Sequence, residues 1–115
     1  MTGTMTKYNS TFSKDDLRIF VLLYCANADY EVSQSEFEYI KPKIGSVNLN
    51  KLYKELCISN DYQIINKIQY SIKKLNYSKE DKEILYKEIR EMFKSDASNY
   101  ILKLNLFRGL KRILN

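Results

Sequence analysis

The stretch from Leu17 to Ala28 constrains the fold more than any other part of the chain. It reads LRIFVLLYCANA, and Arg18 is its only charged residue. Leu17, Phe20, Val21, Tyr24, Cys25 and Ala28 keep the i, i+3, i+4, i+7 spacing of one helical face, while Ile19, Leu22 and Leu23 fill the others. A helix that is apolar on nearly every side has to be central and wrapped by other elements. It is too short to span a membrane, which takes about 20 apolar residues. The rest of the chain must therefore supply its cover.

That cover reads as helical. With 115 residues, one Pro, three Gly and no Trp, the chain has few helix breakers and the length of one domain. Helix one is expected from about Lys14 to Ala28, with Ser13 as N-cap, Asp16 at N3 and Phe12 placed to staple onto Leu17. Ser33-x-x-Glu36 is a capping box that opens helix two, with Phe37, Ile40 and Ile44 inward and Glu36, Glu38, Lys41 and Lys43 outward. Pro42 must kink or end that helix, and Gly45 closes the segment. Helix three, about Leu49 to Ile58, turns Leu49, Leu52, Tyr53, Leu56 and Cys57 inward. Asn60 caps helix four, which carries Ile64, Ile65, Ile68, Ile72 and Leu75 on one stripe, and Asn76-Tyr77 breaks it. Ser78 caps helix five, with Leu85, Ile89, Met92 and Phe93 inward. Helix six runs from about Tyr100 to Leu114, and its Gly109 predicts a close helix contact, since an interior Gly costs about 1 kcal/mol.

The expectation is an all-α, single-domain bundle of about six helices, with residues 1–12 a flexible polar tail and 13–115 the folded domain. Two stretches read as copies of one unit. Aligning Asp29 with Asp96 superposes helices one and two on helices five and six. Leu17 then meets Ile84, Leu22 meets Ile89, Cys25 meets Met92, Phe37 meets Leu104 and Ile40 meets Phe107. This is a pseudo-repeat of two αα-hairpins bridged by helices three and four. A solenoid would need at least three units.

Several motifs carry a resemblance. Ala26-Asn27-Ala28-Asp29, then Val32-Ser33, Glu36 and Ile40, resembles the A-x-A-D-G-x-(I/V)-(S/T)-x-x-E signature of TerB-like domains. Asn76 to Asp81, Lys94-Ser95-Asp96 and Asn105 to Leu114 resemble later segments of the same family, so the likeness covers about Ser13 to Leu114. The TerB-like (tellurite resistance, DjlA N-terminal-like) family implies a small all-helical domain, a non-enzymatic binding or scaffolding role in stress response, and acidic turns proposed as cation sites. Tyr30 and Ala97 stand where the family has Gly, and Lys103 stands where the second copy would have Glu.

Chemistry-bearing residues are few. The chain has no His, which removes imidazole catalysis and imidazole metal ligands. It has no G-x-S-x-G, no Gly-rich phosphate loop and no C-x-x-C, so it does not read as an enzyme. The candidate metal site is Asp29, Glu31 and Glu36, with Asp96 from the second copy, offering hard oxygen ligands to Ca²⁺ or Mg²⁺. Each has a plainer role too: Asp29 in an Asx-turn, Glu36 in the capping box, Glu31 in solvent. Lys103 has the charge to replace such a cation by pairing with an acid of the first copy.

The formal charge is +5, and Lys103, Arg108, Lys111 and Arg112 form a candidate partner-binding basic face on the last helix. A protein partner is expected. The alternative is a module that binds nucleic acid or another acidic partner through this basic helix; nucleic acid is disfavoured because the ten Tyr fall mostly at core-like positions and offer no stacking platform. Cys25 and Cys57 read as buried free thiols, suited to a reducing cytoplasm. Met1 to Ser10 holds no apolar signal-peptide core, and no transmembrane stretch is present, so any membrane association would be peripheral.

Overall fold

The computed structural model describes residues 12–27, 32–95 and 100–114. Six α-helices form the fold: α1 (Lys14–Ala26), α2 (Gln34–Ile40), α3 (Leu49–Ile58), α4 (Asp61–Lys74), α5 (Lys79–Ser95) and α6 (Tyr100–Leu114). A 3₁₀ turn, Lys41–Lys43, follows α2. Pro42 explains it, because the ring supplies no N–H for an α-helical bond. No strand occurs among the described residues. The chain is an all-α bundle, as the sequence predicts. No helix among the described residues is long and apolar enough to cross a membrane.

The helix starts follow the sequence signals. Ser13, Ser33 and Asn60 each accept from the N3 backbone N–H, while Asp16, Glu36 and Gln63 accept from the cap residue's own N–H. Ser78 and Asp81 do the same for α5, at 3.0 Å in both directions. Such reciprocal caps satisfy two of the N–H groups that every helix start leaves unpaired. At the other end of α4, Asn76 takes a φ of 54°. Asn tolerates this left-handed conformation, and it lets Tyr77 N–H reach the Ile72 carbonyl at 3.1 Å and end the helix.

The centre of the bundle is α1. Leu17 and every residue from Ile19 to Ala26 are buried. Around them lie Leu52 and Leu56 of α3, Ile64, Ile68 and Ile72 of α4, Leu85, Ile89 and Met92 of α5, and Phe107, Leu110 and Leu114 of α6. The expected core of Phe20, Val21, Tyr24, Leu52, Ile68, Ile89 and Phe107 is buried throughout. Arg18, the one charge of the run, escapes along the edge of α1. Its guanidinium grips Glu88 of α5 through Nε–Oε1 at 2.7 Å and Nη2–Oε2 at 2.5 Å. This bidentate geometry is the strong form of such a pair.

Several expectations are corrected. Phe12, assigned to the tail, is buried, its ring 5.2 Å from that of Phe20. Tyr53 and Cys57 are exposed, because α3 packs on α1 through the narrow stripe of Leu52 and Leu56 and each of those two residues sits one position past it. Phe37 is 37% exposed and lines a shallow groove with Leu23, Val32 and Leu49. Ile84, paired with Leu17 in the repeat, is exposed where Leu17 is buried. Helix one ends at Ala26 with Asn27 as C-cap, and Ala28 lies outside the described residues. Gly109 makes no close contact: a methyl group built on it would meet nothing within 4 Å.

Two stability outcomes follow. Leu22→Ala, at a position with no exposure, should cost about 2–5 kcal/mol in urea denaturation. Gly109→Ala should raise stability by about 0.5–1 kcal/mol, since the helix gains propensity and the space is open. A loss at Gly109→Ala would restore the close-contact reading.

Candidate functional site

Glu36 departs furthest from its expected position. It was expected to face outward, and it is fully buried. Its carboxylate does two jobs. Oε1 accepts the Ser33 backbone N–H at 3.2 Å and closes the capping box. Oε2 lies 2.9 Å from Nζ of Lys103, whose side chain is 1% exposed. Neither Oε2 nor Nζ has a directed hydrogen bond among the described residues. The contact is thus a close charge pair in an apolar setting, with the Phe93 ring centroid 5.9 Å from the ammonium.

The pair sits at a special place. In the pseudo-repeat, Glu36 and Lys103 occupy equivalent positions of the two hairpins, and here they meet each other. Their aligned neighbours Leu22 and Ile89, Cys25 and Met92, and Ile40 and Phe107 are all buried. The Cys25 thiol, beneath the same pair, is pushed well above its ordinary range by burial first and by the Glu36 charge second. It is held as a neutral, inert thiol.

These facts correct two expectations. Glu36 does not stand free as a divalent-cation ligand, because an ammonium already neutralises it. Lys103 is not part of an exposed basic face, because it is inside. The other candidate ligands, Asp29, Glu31 and Asp96, lie outside the described residues. Among the described residues no three His, Cys, Asp or Glu side chains gather as a metal ion would require.

The remaining basic residues do reach the surface. Arg108 and Arg112 are exposed and Lys111 is half-buried along α6. Lys111 Nζ lies 5.5 Å from both the Tyr86 and Phe107 ring centroids. Arg90 of α5, which the sequence reading missed, lies 5.8 Å from the Phe107 ring. Its signal was only its register on α5, four residues after Tyr86. None of these four cations has a carboxylate partner among the described residues.

The acids that might have neutralised them are turned elsewhere. On α5, Asp81 holds Lys14 at 3.0 Å, Glu88 holds Arg18, and Glu91 accepts from the Tyr39 hydroxyl at 2.7 Å. Glu80 and Glu83 are the exceptions: Glu80 has no ion pair among the described residues, and the Glu83 charge bears on the Tyr86 phenol and raises it after burial does. Helix α6 contains no acid at all. It also leaves Ile101 68% and Leu102 48% exposed near its start. The result is one helix that offers solvent both unpaired cations and large apolar side chains.

No protein-family model, curated protein or solved structure matches this chain. The TerB-like likeness therefore rests on the motifs of the sequence alone.

The buried pair has a measurable signature. Lys103→Met should cost about 3–5 kcal/mol, because it strands the Glu36 charge in the core. The double variant Glu36→Gln with Lys103→Met should cost clearly less than the two single losses combined, as expected of coupled partners. Additive losses in urea melts would show that the two charges do not depend on each other.

Proposed function

We propose that this protein is a non-enzymatic helical binding module whose α6 surface receives an acidic, partly apolar segment of a protein partner. The observation that carries the reading is the composition of that surface. Arg108, Lys111 and Arg112, joined by Arg90 from α5, have no carboxylate partner among the described residues, and Ile101 and Leu102 lie exposed on the same helix. Protein interfaces combine an apolar centre with a polar rim, and Arg is enriched in them. Charge complementarity steers the encounter and selects against basic partners.

The resemblance to TerB-like domains supports the same class, a stress-response scaffold linked by name to tellurite resistance. The free thiols, Cys25 buried and Cys57 exposed, suit a reducing cytoplasm as its setting. A divalent ion is not required by this reading, since Lys103 neutralises Glu36 and Arg18 neutralises Glu88, the two buried carboxylates among the described residues.

Fluorescence anisotropy with a Glu/Leu/Phe-rich peptide, over a salt series and with EDTA, tests it. Binding should weaken as salt rises and should not respond to EDTA. Arg108→Ala with Arg112→Ala should weaken it by about three- to tenfold, since an exposed charge contact is worth up to roughly 1 kcal/mol. Mixed-sequence DNA and RNA serve as competitors. Preferential nucleic-acid binding with a steep salt dependence would replace the protein reading with the alternative. No binding of any of the three at tens of micromolar would overturn both.

A further inference from the structure

A second site lies away from the basic surface. A cavity of about 480 Å³ opens where the end of α1 meets the α3–α4 junction and the middle of α6. That volume is typical of small-molecule sites. Leu56, Ile64 and Leu106 give it an apolar floor, and Tyr24, Cys57 and Asp61 give it chemistry. Asp61 is the only charged residue in the lining.

Tyr24 is the telling group. It is 9% exposed, it lines the cavity, and its hydroxyl has no hydrogen-bond partner among the described residues. The hydroxyl is not among the buried polar atoms left without a partner, so it keeps solvent access on the side where Tyr24 lines the cavity, and a ligand's donor can reach it. Burial, then the Asp61 charge, push the phenol up to about 12, so it keeps its proton at neutral pH. A phenol and a carboxylate thus look into one apolar-floored space with no cation among them.

We infer that this cavity binds an alkylammonium ion, with Asp61 and the Tyr24 oxygen receiving the charged head and Leu56, Ile64 and Leu106 covering the alkyl stem. The chemistry selects this class. An ammonium offers three donors and no acceptor, which matches a carboxylate and a phenol lone pair. Its methylene stem packs on apolar surface while the head stays paired. An anion would be repelled by Asp61. A purely apolar guest would desolvate Asp61 and Tyr24 without replacing their hydrogen bonds. The inference does not rest on the basic-surface reading, and either can fail alone.

Cys57 provides the test, because it lines the cavity and is exposed while Cys25 is buried. The rate of Cys57 labelling is compared for a cationic aminoethyl and an anionic sulfonatoethyl methanethiosulfonate. The whole chain, at +5, favours the anionic reagent. The site should reverse that preference by about three- to tenfold, the scale of one exposed charge contact. Asp61→Asn should erase the reversal. Millimolar 1,4-diaminobutane should slow labelling, and n-butanol should not. Tyr24→Phe, which keeps the ring in the core, should weaken the diamine's protection. Nα-acetyl-lysine N-methylamide is the second arm: protection by it as well extends the ligand to lysine side chains, and protection by the diamine alone confines it to free amines. Faster labelling by the anionic reagent, or protection by neither amine, overturns the inference.

Discussion

The arrangement of the two hairpins depends on one buried charge pair. Helix α2 is seven residues long, too short to persist without tertiary support. Glu36 ties it down twice, through the capping bond to Ser33 and through the contact with Lys103 of α6. The pair is a weak source of net stability, because taking two charges out of water offsets most of their attraction. Its effect is on uniqueness. A shifted α2 or a rotated α6 would leave an unpaired charge in an apolar core, and that alternative is costly. The pair thus selects one register of hairpin against hairpin.

Charge placement on α5 extends the same logic outward. Asp81, Glu88 and Glu91 all point back to α1 and the α2 segment, where Lys14, Arg18 and Tyr39 meet them. These contacts clamp the flanks of α1, whose own surface has almost nothing polar to offer. They also engage Asp81, Glu88 and Glu91, three of the five acids of α5. Among the described residues, the cations on the α6 side have no carboxylate partner, and the basic surface is partly a by-product of how α1 is held.

Much of this was legible in the sequence, because the signals were local. The apolar run from Leu17 announced the central helix. The Ser33-x-x-Glu36 box, Asn60 and Ser78 fixed three helix starts, and Pro42 fixed an end. What failed was facing. An N3 acid in a capping box is usually solvated, so Glu36 read as outward; the signal for its partner came from the repeat, where Lys103 stands in place of the second copy's glutamate and pairs with an acid of the first. Lys103 carried two readings, and the pairing with an acid of the first copy is the one that holds, while its place on an exposed basic face failed although its helical phase matches the buried Phe107 and Leu110. Tyr53 and Cys57 failed because composition cannot tell how wide a buried stripe is. Gly109 failed because a helix can simply tolerate the cost of a glycine.

The equivalence of Glu36 and Lys103 has a further consequence for the cation question. Two copies of one hairpin that both carried a glutamate at this position would bring two carboxylates face to face in the core. Such a pair repels, and it needs a proton or an external cation between its members. This chain has lysine in one copy instead, so the compensating charge is covalently part of the fold and cannot dissociate. Its position is set by the backbone of α6 rather than by an ion's concentration. The price is that the centre of the molecule is chemically closed, with the carboxylate, the ammonium and the Cys25 thiol all committed. The groups left for the proposed recognition are on the outside of the bundle, where the cations of α6 have no carboxylate partner among the described residues and Tyr24 and Asp61 line an open cavity.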